Sequence, residues 1–260
     1  MAVDVLYYGN TNTGGTAPID ALSPYNEGDT VTVLGYGDLE KTGYRINAWN
    51  TQADGLGTQY LPDDTFLMPA TQVDLYAEWI PVYSVTFDGN GEDSGTAPVD
   101  STLYAEGEYV SMPANTGSLV KAGFAFVGWN TASNGSGDHY DALDNYTMET
   151  ADITFYAEWA ATYTVTYDGN TNTGGSVPTD LSSPYLDTST VTVLGNTGSL
   201  VKTGNVFAGW NTVADGSGTT YAPGATFAID GADVTLYAIW TDVPDNTVTT
   251  KAINASTFTA

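Results

Sequence analysis

The stretch Gly128–Ala142 reads GWNTASNGSGDHYDA and contains a Trp-Asn-Thr segment, a glycine-rich turn and His139, the only histidine of the chain. It aligns with AWNTQADGLGTQY at 48–60 and with GWNTVADGSGTTY at 209–221. The Trp-Asn-Thr segment, the Asx-Gly-X-Gly turn and the final tyrosine recur, whereas His139 is replaced by Gln59 or Thr220. Asx and Gly residues adopt positive φ and close tight connections. The shared residues therefore predict a turn between two strands, and the residues that suggested a binding site are those that do not recur.

The six tryptophans show that the whole chain is a tandem repeat. Each pair is separated by 30 residues, and the pairs recur every 80 or 81 residues along the 260-residue chain. The tryptophans are Trp49, Trp79, Trp129, Trp159, Trp210 and Trp240. We predict three modules at about 2–80, 81–160 and 161–240, followed by a tail at 241–260.

The hydrophobic pattern within a module has a period of two residues. In YTVTYDG, Tyr163, Val165 and Tyr167 alternate with threonines, which is typical of a half-buried strand. Gly-Asn, Gly-Gly and Asp-Gly pairs interrupt these runs, so no amphipathic helix of a dozen residues fits. We expect a mainly β fold with four or five short strands and at most one helical turn per module. The two recurrent tryptophans and a recurrent tyrosine are expected to form each core.

Composition excludes several classes of function. The chain has 31 acidic and 5 basic residues, a formal charge of -26, and no cysteine. Phosphate backbones and anionic membranes repel such a surface, which argues against nucleic-acid binding and membrane insertion. Without cysteine, neither disulfides nor thiolate metal sites can form. The first residues lack the basic and apolar regions of a secretion signal.

The three modules resemble a known family in all their motifs. The segments YTVTYDGN, LVKTG, FAGWNT, DGSGTTY and DVTLYAIW are similar to the Listeria-Bacteroides repeat, related to the B-repeat of internalin B. This resemblance implies small β-grasp-like, ubiquitin-like modules in an elongated array, found in tandem in bacterial surface and adhesive proteins. Module 1 departs from the pattern at Ala48, where the others have Gly128 and Gly209, and at Tyr8, where they have Asp88 and Asp168.

Candidate sites were tested by asking whether they recur. A calcium site needs six to eight oxygen ligands, but only Asp54, Asn134 and Asp215 recur in the turn, so at most weak binding of calcium to the acidic surface is expected. One histidine cannot serve three modules, and no serine lies in a nucleophile elbow. We therefore predict no catalytic, cofactor or metal site and no enzymatic activity. Sugar stacking on Trp49, Trp129 and Trp210 is less favoured than core packing.

Lysines recur at one position per module. Lys41, Lys121 and Lys202 could each pair with a carboxylate, or could form an isopeptide crosslink with Asn50, Asn130 or Asn211. Links of three residues, such as IPV between Trp79 and Tyr83, predict a semi-rigid array. The threonine-rich tail admits three interpretations: a flexible end, the start of another domain, or a strand donated to another subunit.

These observations favour a non-enzymatic cell-surface or secreted protein that acts as a stalk or adhesin spacer. The first alternative is a self-assembling extracellular fibre subunit that uses the tail as a donated strand. The second is a binding module for a host protein or glycan. The expected partners are adjacent modules or identical subunits, and a host-surface protein or glycan is a further candidate.

Overall fold

The computed structural model describes residues 1–243, so residues 244–260, and with them the interpretations of the tail, lie outside the described part. Within residues 1–243 all regular structure is β, with no helical residue. The predicted mainly β class is confirmed, and the allowance for a helical turn was unnecessary. The first and last long strands of each module pair in parallel, as a β-grasp-like arrangement requires.

Module 1 shows the topology most simply. Its strands are β1 (Val5–Tyr8), β2 (Thr30–Thr32), β3 (Tyr44–Asn50), β4 (Gln59–Tyr60), β5 (Thr65–Leu67) and β6 (Val73–Pro81). The main sheet has the order β1-β6-β3-β4, in which β1 and β6 are parallel and β3 is antiparallel to both of its neighbours. The short strands β2 and β5 form a separate antiparallel pair.

Modules 2 and 3 repeat this arrangement with one additional short strand each. The strands of module 2 are β7 (Tyr83–Asp88), β8 (Leu103–Tyr104), β9 (Tyr109–Ser111), β10 (Phe124–Asn130), β11 (His139–Tyr140), β12 (Asn145–Thr147) and β13 (Ile153–Tyr163). Those of module 3 are β14 (Val165–Asp168), β15 (Tyr185–Leu186), β16 (Thr190–Thr192), β17 (Asn205–Asn211), β18 (Thr220–Tyr221), β19 (Thr226–Ala228) and β20 (Val234–Asp242). The expected four or five strands per module were too few, because strands of two or three residues leave almost no periodic signal.

Each module has its own hydrophobic core around its first tryptophan. Trp49, Trp129 and Trp210 are 0% exposed. Each meets the aromatic residue of the first strand edge to face, with ring centroids 4.7 to 4.9 Å apart. The prediction that both tryptophans are core residues was half right. The second tryptophans, Trp79, Trp159 and Trp240, are only partly buried against these cores, as are the recurrent tyrosines Tyr60, Tyr140 and Tyr221.

A β-bulge precedes the buried tryptophan. The register between β17 and β20 shifts between Phe207 and Gly209, and the register of module 1 shifts between Ile46 and Ala48. Gly128 and Gly209 have φ angles of +149° and +136°, which side chains rarely tolerate. The bulge itself therefore does not depend on glycine, because module 1 forms it with a buried alanine.

Modules 1 and 2 follow each other with almost no linker. Only Val82 separates β6 from β7, and its N–H donates to the Gly43 carbonyl at 3.1 Å. Arg45 of module 1 also forms a two-pronged ion pair with Glu108 of module 2, with N–O distances of 2.6 and 3.3 Å. The predicted link between Trp79 and Tyr83 is therefore mostly strand.

Candidate functional site

The asparagine after the buried tryptophan organises the turn that sequence comparison singled out. Asn50, Asn130 and Asn211 are at most 2% exposed. In module 2, Asn130 Oδ1 accepts the N–H groups of Ala132 and Gly137 at 2.9 and 3.1 Å. The same two bonds recur in the other modules. Because the buried amide satisfies two backbone N–H groups that are five residues apart, this side chain shapes the loop.

Asn134 and its equivalents also stabilise the turn through hydrogen bonds to its backbone. Asp54, Asn134 and Asp215 each use Oδ1 to accept the N–H two residues later, at 2.9 to 3.1 Å. Asp88 and Asp168 do the same after the first strand, whereas the corresponding Tyr8 stacks on Tyr76. Among residues 1–243, no three His, Cys, Asp or Glu side chains are grouped so that they could hold a metal ion.

His139 belongs to a contact that differs in each module. Its Nδ1 lies 2.9 Å from Glu158 Oε2, and its Nε2 lies 3.3 Å from Asp141 Oδ1. The hydrogen bond to Glu158, with a smaller contribution from Asp141, raises the pKa of His139 above its usual value. Glu158 also accepts from Asn130 Nδ2 at 3.0 Å. The histidine is therefore tied to the turn, and not to a cluster of metal ligands.

In modules 1 and 3 the position of His139 is occupied by Gln59 and Thr220, which make other hydrogen bonds. In module 1, Gln59 donates to Glu78 at 3.2 Å, and Glu78 also accepts from Asn50. Module 3 has Ile239 in place of the glutamate, and Asn211 Nδ2 donates instead to Thr220 Oγ1 at 3.0 Å. Where isoleucine replaces the glutamate, in module 3, the threonine at the histidine position accepts the bond from the asparagine instead.

Two of the recurrent lysines, Lys41 and Lys121, lie close to the second tryptophan of their module. Lys41 Nζ donates to Thr11 Oγ1 at 2.8 Å and lies 4.4 Å from the ring centroid of Tyr44 and 6.0 Å from that of Trp79. Lys121 Nζ donates to the Asn90 carbonyl and lies 5.9 Å from the Trp159 centroid. The proposed crosslink partners are engaged elsewhere, since Asn50 and its equivalents bond to the turn.

Sequence reasoning missed a Tyr-Asp pair that recurs in the crossover after the first strand and is buried in module 1 and partly buried in modules 2 and 3. The hydroxyls of Tyr25, Tyr104 and Tyr185 donate to Asp20, Asp100 and Asp180 at 2.7 to 2.9 Å. Burial and then the bond to Asp20 raise the pKa of Tyr25 to about 12. The signal was present, because an aspartate precedes a tyrosine by four or five residues in all three modules.

A small hollow lies beside the second tryptophan, between the turn and the end of the first strand. We call it the tryptophan hollow. In module 1 it measures about 320 Å³ and is lined by Asn10, Lys41, Ala53, Asp54 and Trp79, among others. In module 3 it measures about 260 Å³, and its lining includes the equivalent Asn170, Lys202, Ala214, Asp215 and Trp240. The hollow therefore has the same lining in modules 1 and 3.

An asparagine fixes the walls of the tryptophan hollow, and its two bonds recur in all three modules. Asn10 Nδ2 donates to the carbonyls of Ala53 and Ala77, both at 2.9 Å. Asn90 and Asn170 make the equivalent pair of bonds at 2.8 to 2.9 Å. The indole N–H of Trp79 donates to the Gly9 carbonyl, and its two counterparts do the same. Three separate segments of each module are thereby held in fixed positions.

Comparisons with known proteins place the repeats in a family. Two proteins of Evansella cellulosilytica are similar to this chain: a Gly-rich membrane protein at 38% identity over 75% of the chain, and a membrane protein at 34% over 77%. The chain covers only 22% and 28% of their lengths. A solved structure of Streptococcal High Identity Repeats in Tandem domains 3-4 from a cell surface protein matches at 18% identity, covering 62% of this chain and 98% of that one, with a TM-score of 0.20.

No helix among the described residues is both long and apolar enough to cross a membrane.

The model of the Listeria-Bacteroides repeat domain matches three times, at residues 7–78, 83–158 and 163–239. These three matches cover most of the chain and coincide with the three separate cores. The chain belongs to the Listeria-Bacteroides repeat domain family.

Proposed function

We propose that this chain is a non-enzymatic spacer, or stalk, within a bacterial protein of the cell surface. The observation that carries the proposal is the tight succession of modules 1 and 2, which are separated by Val82 alone between strands. The ion pair from Arg45 to Glu108 spans the same junction. Modules joined in this way resist independent rotation, and resistance to bending is what a spacer requires.

The polar side chains that recur support a structural role. The buried asparagines, the turn aspartates and the Tyr-Asp pairs all bond to the backbone or to one another. His139 occurs in one module only. Catalysis requires a base, a nucleophile or an ion directed at a substrate, and the recurrent groups instead hold loops. We therefore propose neither enzymatic activity nor a cofactor, with only weak binding of calcium to the acidic surface.

Charge and relatives support the proposed location. The formal charge of -26 keeps copies of the chain apart and disfavours contact with nucleic acid or anionic lipid. Two relatives are named as membrane proteins, and both are several times longer than this chain. We propose that the repeats lie outside the cell as part of a larger envelope protein. Their partners would then be adjacent modules.

Small-angle X-ray scattering tests the spacer. A compact chain of this length has a radius of gyration of about 18 Å, whereas three modules in line give about 30 Å. We expect the larger value and no change with protein concentration. A value near 18 Å for a monomer would overturn the proposal. Repeating the measurement in 1 M NaCl separates stiffness of the junctions from simple charge repulsion.

The second candidate is a fibre subunit, and the outer edge of β1 favours it. The Asp4 carbonyl accepts from Val73 N–H on β6, so Val5 and Tyr7 direct their backbone groups away from β6. The Val5 N–H already donates to Ser23 Oγ at 3.2 Å, so an added strand would pair with the Val5 carbonyl and with Tyr7. A groove of about 420 Å³ follows this edge. Such an edge is where an extended segment can add a strand. Deletion of residues 246–260 tests this idea: a sedimentation coefficient that is independent of concentration in both the full and the shortened chain would exclude assembly through the tail.

A further inference from the structure

We propose that the tryptophan hollow of modules 1 and 3 is a binding site for a neutral carbohydrate. The hollow combines an indole wall, Trp79 in module 1, with polar groups of both kinds around its rim. Sugars present an apolar C–H face and a ring of hydroxyls, and each hydroxyl both donates and accepts. An aromatic wall with donors and acceptors beside it is the chemistry that recognises them. This proposal does not depend on the spacer function.

Two polar groups of the hollow have hydrogen-bonding capacity that contacts within the protein do not use. Lys41 uses one of its three ammonium N–H groups on Thr11. Asp54 uses Oδ1 to accept the Leu56 N–H, and its Oδ2 makes no hydrogen bond within the described residues. One donor and one acceptor therefore flank the indole of Trp79. A ligand hydroxyl that reaches both can donate to the carboxylate and accept from the ammonium.

The hollow is formed before any ligand arrives. Asn10 ties the turn to β6 through the Ala53 and Ala77 carbonyls, and Trp79 is tied to Gly9. Fixed walls lower the entropy that a ligand must lose on binding. The volume is about 320 Å³ in module 1, at the lower end for ligand pockets, and about 260 Å³ in module 3, slightly below that range. This size suits one sugar unit, with the rest of a longer chain left in solvent.

Charge decides the class of sugar. An anionic ligand would meet Asp54, Glu78 and a body with a formal charge of -26, which repels it. A quaternary ammonium ligand would need the aromatic face for a cation–π contact. Lys41 already places a positive charge 6.0 Å from that ring, so a second cation is disfavoured. A neutral polyol is not repelled by the acidic residues and does not place a second positive charge beside Lys41.

Recurrence makes the site effective even if each copy binds weakly. The asparagine that fixes the hollow makes the same two bonds in modules 1, 2 and 3. The lining persists although module 3 has Ile239 where module 1 has Glu78. Several weak sites on one chain bind a repeating polymer with an avidity well above the affinity of any single site.

Native affinity electrophoresis in gels that contain a polysaccharide tests the proposal. The neutral probes are hydroxyethyl cellulose, laminarin and yeast mannan, and the anionic probe is carboxymethyl cellulose. We expect at least one neutral probe to retard the chain, and carboxymethyl cellulose to retard it at least tenfold less. Failure of all three neutral probes overturns the proposal. Equal retardation by both celluloses also overturns it.

A pair of matched variants assigns any binding to the hollow. Ala53 and Ala214 line the hollows, and Ser133 is their equivalent in module 2; all three lie at exposed positions of the turns. The variant A53L/S133L/A214L therefore fills the hollows without disturbing the cores. The control A70L/A151L/A232L adds the same side chain at exposed positions elsewhere. We expect the first variant to lose at least tenfold in affinity and the control to bind as the parent does. Undiminished binding by the first variant overturns the assignment, as does competition by 10 mM choline.

Discussion

His139 on β11 and Glu158 on β13 meet across β10, with Nδ1 and Oε2 2.9 Å apart. Gly128 on β10 lies beneath the imidazole, and a Cβ atom there would come within 2.6 Å of both His139 Cε1 and the Tyr140 carbonyl oxygen. The glycine thus leaves room for the imidazole and for the neighbouring backbone. Module 3 keeps Gly209 although Thr220 replaces the histidine, and a Cβ atom there would come within 2.9 Å of the Tyr221 carbonyl oxygen. The neighbouring backbone is therefore the constraint that modules 2 and 3 share.

The first prediction concerns pH. Because the bonds to Glu158 and Asp141 raise the pKa of His139, the folded state binds its proton more tightly than the unfolded state. The resulting stabilisation is complete below the unfolded pKa of about 6.5 and is lost as pH rises through the folded pKa. We expect an imidazole pKa above 6.5 by NMR titration of the single histidine.

A matched variant isolates this effect. His139→Gln copies the residue of module 1 and removes the titrating group. We expect the stability of module 2, followed by hydrogen exchange, to lose its dependence on pH between about 6 and 8 in this variant. An imidazole pKa at or below 6.5 in the parent would contradict the contact with Glu158.

The second prediction concerns the buried asparagine of the turn. Asn211→Ala removes the acceptor for the N–H groups of Val213 and Gly218. Leaving such groups without a partner costs on the order of 2 to 3 kcal/mol. Asp215→Ala removes a single exposed bond to Ser217 and should cost about 1 kcal/mol or less. Hydrogen exchange of module 3 measures both, and equal losses would show that the asparagine is not special.

The third prediction concerns two core positions that differ together in module 2: the aromatic residue of the first strand, and the residue whose N–H its hydroxyl accepts in modules 1 and 3. The hydroxyls of Tyr7 and Tyr167 accept the N–H groups of Leu34 and Leu194 at 3.0 and 2.8 Å. Module 2 has Phe87 without a hydroxyl and Pro113, which has no N–H to donate. We expect Phe87→Tyr to destabilise module 2 by about 1 to 3 kcal/mol, because the new hydroxyl lacks its donor.

The double variant F87Y/P113L supplies that donor. We expect it to recover part of the loss, so that the effects of the two substitutions are not additive. Urea unfolding of module 2, monitored by hydrogen exchange, gives the coupling. Additive effects would mean that the hydroxyl found another partner and that the pairing in modules 1 and 3 is incidental.

The features that depend on local sequence could be predicted by comparing the three modules. The period of two residues predicted the strands, and the invariant Asx and Gly residues predicted the turn. Burial of Trp49, Trp129 and Trp210 was also predicted, because a small module without disulfides must bury its largest side chains. These features depend on local sequence, so the sequence is sufficient for them.

The contacts that define the hollows could not be predicted in this way. Asn10 and Ala77 are 67 residues apart, and Trp79 and Gly9 are 70 apart. Such partners become neighbours only when β1 and β6 pair in parallel, and no local pattern specifies that pairing. For the same reason sequence reasoning offered a carboxylate or an asparagine as the partner of Lys41, which lies near Tyr44 and Trp79.

The last prediction concerns the ion pair between modules 1 and 2. Arg45 and Glu108 are both partly exposed, so their coupling should be only about 0.2 to 1 kcal/mol. The bond from Arg45, followed by the bond from the Ala105 N–H, lowers the pKa of Glu108. A double-mutant cycle with Arg45→Gln and Glu108→Gln should give this coupling in 50 mM NaCl and lose most of it in 1 M NaCl. Because modules 2 and 3 have Ala125 and Ser189 at the corresponding places, no such salt dependence is expected there. A coupling unaffected by salt would mean that packing of the arginine stem, and not charge, joins the two modules.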